Sequence, residues 1–160
     1  MVSLPQTAEY ALRAVLHIAA SPGSAAVRVP ELAETLRIPR NYLSKTMHQL
    51  TRAGVLASSR GPHGGFRLAV PPGELTLTRI VSVFRAPSDD RCLLGRGRCG
   101  ENPHCAIHAR WKPIATQLNG FYSRTTIADL LAGGPDAARD GGLPNPADSL
   151  RPTFSEDSTP

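Results

Sequence analysis

The chain has 160 residues, 41% of them apolar, 19% charged and 5% aromatic, with 18 Lys and Arg against 13 Asp and Glu for a net charge of +5. That length suits one domain, or one domain with an appendage. Its 14 Gly and 15 Pro follow no repeat, heptads are not sustained and Cys numbers only 3, which excludes collagen-like, coiled-coil and disulfide-scaffold classes.

From residue 6 or 7 the apolar residues Ala11, Leu12, Val15, Leu16, Ile18 and Ala19 fall at helical spacing, up to a stop at Ser21-Pro22-Gly23. Val29 to Leu36 predicts a short helix, with Pro30 suited to its first turn and Glu31 and Glu34 near its positive end. A four-residue break, Arg37 to Arg40, leads into a second helix over Asn41 to Ala53, where Leu43, Met47 and Leu50 form an apolar stripe and Gly54 supplies the stop. Two helices with so short a connection cross steeply, as in a helix-turn-helix. Residues 55–60 and 66–70 then read as strands joined by the loop Gly61-Pro62-His63-Gly64-Gly65, a β-hairpin wing. Because that loop lies between two strand patterns, it does not fit a phosphate loop, which follows a strand and opens a helix.

Helical character resumes over Leu75 to Phe84. Residues 86–105, which hold all three Cys, read as a loop. A further helix follows, with Trp111, Ile114, Ala115, Leu118, Phe121 and Tyr122 forming one apolar seam suited to a second chain. Pro113 is expected to kink this helix, and Asn119-Gly120 is a turn signal within it. Thr125 to Leu131 predicts a last short helix capped by Thr125 or Thr126. From Gly133 onward 9 of 28 residues are Gly or Pro, which predicts a disordered tail. The expected organisation is therefore residues 1–86 as a DNA-binding unit, 87–132 as a cysteine-rich loop and dimerisation helix, and 133–160 as a tail. The fold class is mainly α with a small β-hairpin, a winged helix-turn-helix followed by a long C-terminal dimerisation helix.

Charge supports a nucleic-acid partner. Residues 1–86 carry a net +6, residues 87–132 +2 and residues 133–160 −3, so the positive charge lies on the half that holds the helix-turn-helix. A helix fits the major groove of double-stranded DNA, and its N-terminal residues reach base edges and phosphates. Here those residues are Arg40, Asn41, Tyr42, Ser44, Lys45 and His48, all off the apolar stripe. Arg60, His63, Gly64, Gly65 and Arg67 fall on the wing, which can reach a minor groove or the backbone.

Cys92, Cys99, Cys105 and His108 are separated by 6, 5 and 2 residues. Thiolates select zinc or iron–sulfur clusters, and this loose spacing does not fit the CxxC knuckles of structural zinc sites. Arg91, Arg96 and Arg98 favour thiolate over thiol. An iron–sulfur cluster is the leading reading, with a zinc site or a metal-free thiol switch as alternatives. No oxyanion element accompanies Cys105 and its neighbours His104 and His108, so an enzyme is not expected. Apolar runs are short, as where His17 interrupts Ala14 to Ala20, so neither a membrane span nor a signal peptide is expected. A cytoplasmic chain follows, a compartment in which clustered thiols stay reduced.

Tyr10-Ala11-Leu12-Arg13, Arg40-Asn41-Tyr42-Leu43, Arg60-Gly61-Pro62-His63-Gly64-Gly65-Phe66-Arg67-Leu68, the Cys triplet and Thr126-Ile127-Ala128-Asp129-Leu130 together resemble the Rrf2 family of bacterial winged-helix transcription regulators, in its cluster-bearing branch. The resemblance spans roughly residues 3–132. It implies a homodimer on a DNA operator, with crossing C-terminal helices and a cluster, 2Fe–2S favoured over 4Fe–4S, in the loop before the long helix. By the same resemblance His108 completes a set with Cys92, Cys99 and Cys105, or else an acid of the partner's first helix does so, the place that Glu9 occupies here. Six residues between the first two Cys, Ser44 in place of an acidic or amide residue, and Pro113 depart from the family pattern.

Overall fold

The computed structural model of the chain describes residues 4–21, 26–61, 64–84 and 105–133. Helix α1 (Gln6–Ala20) turns Ala8, Ala11, Ala14, Val15 and Ile18 inward. Three alanines on this face let neighbours approach closely, and α1 is the element around which the others pack. Helix α2 (Val29–Leu36) and helix α3 (Arg40–Arg52) both rest on it.

The two helix ends close by the same device. After α2, Arg37 adopts a left-handed conformation (φ 53°), its N–H donates to the Glu34 carbonyl at 3.2 Å and the Ile38 N–H donates to Ala33 at 3.0 Å. After α3, Gly54 (φ 69°) donates to Thr51 at 3.1 Å and Val55 to Leu50 at 3.0 Å. This paired pattern satisfies carbonyls that a helix end leaves open. Gly54 meets the expectation from sequence. Arg37 carries the left-handed turn without glycine, at a cost of about 1–2 kcal/mol, and buried Ile38 anchors it. Leu43, Met47 and Leu50 lie fully inside, and Thr46 joins them at 1% exposure with its hydroxyl donating to the Tyr42 carbonyl at 2.9 Å.

Strands β1 (Leu56–Ser59) and β2 (Gly65–Leu68) pair antiparallel, Leu56 opposite Leu68 and Ser59 opposite Gly65. Val27 adds a third rung that the sequence did not signal: its N–H and carbonyl each bond Phe66 at 2.9 Å. A 3₁₀ turn at Pro72–Glu74 leads to helix α4 (Leu77–Val81). The helix expected over 75–84 is therefore shorter, with hydrogen-bonded turns continuing to Phe84. Its start is set by distant backbone. Helix α6 (Ile127–Ala132) begins beside it, the Leu77 N–H donates to Thr125 at 3.0 Å, and the Ile127 N–H donates to Leu75 at 2.9 Å. Leu75 is thus held extended in a bridge between Thr76 and Thr126.

Helix α5 (His108–Arg124) runs as one element through Pro113 and through Asn119-Gly120, so the turn signal at Asn119-Gly120 is overridden. Pro113 removes the hydrogen bond to the carbonyl of Ala109, an exposed residue. Gly120 stays helical, with the Arg124 guanidinium folded to 3.0 Å of where its Cβ would stand. Thr126 caps α6 in a reciprocal box with Asp129. Ile127 is closed to solvent in the same core as α1, so the chain returns at its end to the unit built by its first half. Among the described residues no helix is long and apolar enough to cross a membrane.

Candidate nucleic-acid interface and cysteine segment

The turn between α2 and α3 is held from α1. Arg13, whose side chain is only 12% exposed, donates from Nη2 to the Leu36 carbonyl at 2.7 Å. Leu36 is the last residue of α2, where unpaired carbonyls concentrate negative partial charge. A buried guanidinium there satisfies an open acceptor and sets the position of the turn. Glu9 lies one helical turn away, with Oε1 at 3.9 Å from Arg13 Nη1.

Beyond the turn, α3 presents Arg40, Asn41, Tyr42, Lys45 and His48 to solvent, with Tyr42 at 61% exposure, while Ser44 is half-buried. His48 also faces the wing: its ring lies 5.9 Å from Phe66 at 76°, an edge-to-face contact that sets β2 against the recognition helix. Arg60 and Arg67 are exposed on the wing; His63 falls outside the described residues. Gly64 and Gly65 have a steric reason. A Cβ on Gly64 would stand 2.5 Å from the Ser59 carbonyl oxygen, and one on Gly65 would stand 2.7 Å from that of Val27. The second approach is close because Val27 pairs with Phe66, so this part of the wing motif encodes backbone contact.

Of the cysteine segment, Cys92 and Cys99 lie outside the described residues. Cys105 and His108 are both half-buried on one turn at the head of α5, where the His108 N–H donates to the Cys105 carbonyl at 3.1 Å. One helical turn on, the Trp111 Nε1 is buried with no hydrogen-bond partner among the described residues. Among the described residues no three His, Cys, Asp or Glu side chains converge as a metal site, so Glu9 is not gathered with Cys105 and His108 within one chain. A thiol and an imidazole on one turn fit half of a cluster's donor set. Further along, α5 buries none of its residues, and Ile114 and Phe121 remain 52% and 50% exposed.

A family model described as "Rrf2: Iron-dependent Transcriptional regulator" matches residues 4–133. The chain belongs to the Rrf2 family. An HTH-type transcriptional regulator of Aquifex aeolicus is 39% identical over 129 residues, 78% of this chain and 88% of that protein. The HTH-type transcriptional regulator IscR of Cronobacter sakazakii is 29% identical over 128 residues, 80% of this chain and 79% of that protein. Among solved structures, CymR, the global cysteine regulator of B. subtilis, superposes with a TM-score of 0.73 at 24% identity, covering 84% of this chain and 99% of that one. IscR of T. potens does so with a TM-score of 0.69 at 20% identity, covering 85% and 90%. These likenesses show the winged-helix fold.

This Rrf2 chain is a transcriptional regulator, not an enzyme, of a family whose members bind DNA. Its family motifs have physical content that spacing alone did not reveal. Arg13 of the Tyr10-Ala11-Leu12-Arg13 stretch latches the helix-turn-helix; its signal in the sequence was a cation one residue from the apolar face of α1. Thr46 and Val27 gave no such signal, since a buried Thr and a single-residue bridge have no periodicity.

Proposed function

We propose that this Rrf2 regulator is a homodimer that binds a double-stranded DNA operator and adjusts its grip through an iron–sulfur cluster. Arg40, Asn41, Tyr42, Ser44, Lys45 and His48 address the major groove, and Arg60, His63, Gly64, Gly65 and Arg67 bring the wing to the flanking backbone. Residues 1–86 form the DNA-binding unit, 87–132 the sensing and pairing segment, and 133–160 a tail. Cys92, Cys99, Cys105 and His108 would hold the cluster, 2Fe–2S in preference to 4Fe–4S, with Glu9 of the opposite protomer as the alternative fourth ligand. When bound, such a cluster supplies a centre reactive toward oxidants and nitric oxide.

The observation that carries this reading is the shared turn of Cys105 and His108 at the start of α5. Whether these two side chains are engaged or released bears on the first turn of that helix. Helix α5 packs on α4 and runs into Thr125, whose carbonyl accepts the Leu77 N–H that starts α4. Helix α4 in turn packs on α1, and Arg13 of α1 holds the turn before the recognition helix. Half-sites on one DNA face lie about 34–36 Å apart, so a small rotation of paired protomers misaligns one of them.

Anaerobic purification with iron and acid-labile sulfide analysis tests the assignment. Iron and sulfide should be present, and Cys99→Ala should abolish the visible absorption. Removing the cluster should change affinity for a selected duplex about tenfold or more, which corresponds to about 1.4 kcal/mol of coupling. Protein without iron or sulfide, or with unchanged affinity, overturns the cluster reading. The structural likeness to a cysteine regulator favours a second reading, a zinc- or thiol-based repressor of the same fold. That reading predicts zinc without sulfide, or affinity that follows thiol oxidation.

A further inference from the structure

We infer that the open groove between α3 and the turn after α4 seats one sugar–phosphate strand of the duplex, with Lys45 and Arg52 as its phosphate contacts. The inference rests on the DNA-binding reading and extends the footprint beyond the helix N-terminus and wing. The groove has a volume of about 770 Å³; Tyr42, Lys45, His48, Gln49 and Arg52 are among the residues of its α3 side, and Thr7 at the start of α1 lines it with Val83 and Phe84. Among the described residues no acidic residue lines it. Gln49 and Arg52 are exposed and lie off the buried Leu43, Met47 and Leu50 stripe.

Charge and spacing select the occupant. Lys45 and Arg52 are seven residues apart, about 10 Å along a helix axis, a span that suits two phosphates of one strand better than one small anion. The Gln49 amide between them and the Tyr42 hydroxyl, one turn before Lys45, offer neutral donors. The half-buried Val83 and Phe84 provide an apolar wall of the kind that sugar edges pack against. Such contacts fix register and orientation without reading sequence. Arg52 also lies in the last turn of α3, where a cation favours the helix dipole without any ligand. A phosphate contact differs from that role in its salt dependence.

The test uses the full chain with two probes, a duplex selected by the protein from a randomised pool and a duplex of arbitrary sequence, each titrated across a range of salt. Arg52→Ala should weaken both duplexes by the same factor and reduce the slope of log affinity against log salt by about one per protomer. Arg52→Lys should keep the slope, and Gln49→Ala should weaken both duplexes with the slope unchanged. An unmoved slope in Arg52→Ala, or a loss confined to the selected duplex, overturns the inference. So does a changed dimer equilibrium or thermal midpoint with the slope unmoved, the result expected if the groove holds this chain's own residues or a second copy. Wild-type protein that fails to discriminate the two duplexes would overturn the operator reading while leaving the slope test intact.

Discussion

Residues of α1 to α4 and residues of α5 use their apolar side chains in opposite ways. Leu32, Leu43, Met47, Leu50 and Ile80 are closed to solvent in one core, whereas α5 buries nothing and leaves Ile114 and Phe121 about half exposed, 52% and 50%. The first region therefore completes its own packing. In the second, Trp111, Ala115, Leu118 and Tyr122 are half-buried, Tyr122 against the first core, and the exposed Ile114 and Phe121 mark a candidate interaction site. On the proposed function, the first region carries the DNA face and the second carries the pairing surface.

The largest expected effect comes from charging the seam. The double variant Ile114→Asp with Phe121→Asp should dissociate the dimer in sedimentation and, by removing bivalent engagement, lower affinity for a selected duplex roughly 10²–10⁴-fold. Its helix-turn-helix core should stay folded by circular dichroism; loss of that core as well would erase the contrast between the regions. Ile127→Ala tests the point where the chain returns to the first core, and should cost about 2–5 kcal/mol in denaturant unfolding. A cost under about 1 kcal/mol, well short of that range, would make α6 an appendage of α5.

Arg13→Ala sharpens the contrast inside the first region. It removes a charge-assisted bond to the Leu36 carbonyl and should lower stability by about 1.5–3 kcal/mol, with an added loss of DNA affinity because the recognition helix loses its latch. Equal affinity at temperatures where both proteins are folded would show that Arg13 serves stability alone. Thr126→Ala, at the α6 cap, should cost about 1 kcal/mol. The smallest effect is a matter of pH. Asp129 Oδ2 accepts the Thr126 N–H at 2.8 Å and its hydroxyl at 2.7 Å, and these bonds hold the carboxyl below its usual range. A carboxyl depressed in the folded state contributes stability above the unfolded value, about 3.9, and loses it as pH falls through the folded value. Asp129→Asn should remove this acid-dependent component, and identical acid profiles for the two proteins would contradict the cap.

Much of the first region was legible in sequence because its signals are local. The Leu43, Met47 and Leu50 stripe, the stop at Gly54, the wing glycines and the Thr126 cap each lie within a few residues of what they determine. The same locality misled at Asn119-Gly120, whose turn signal is overridden within α5, where Arg124 folds over Gly120. At the proposed DNA face, α3 was legible as a helix with a set of outward polar positions. Their division was not, since the ring contact of His48 with Phe66 and the groove beside Lys45 and Arg52 depend on how β2 and the turn after α4 stand against α3.

By itself the sequence determined the kind and order of the elements, the concentration of positive charge in the N-terminal half, and the thiol–imidazole grouping, because periodicity, capping and composition act over a few residues of chain. Only the tertiary structure decided that Arg13 closes the helix-turn-helix, that Val27 joins the wing, and that Thr126 pairs with Thr76 and so shortens α4. Each of these joins backbone or side-chain groups far apart along the chain. Such a contact repeats nowhere and therefore leaves no pattern, and it becomes visible only once the buried core has brought its two ends within hydrogen-bonding reach.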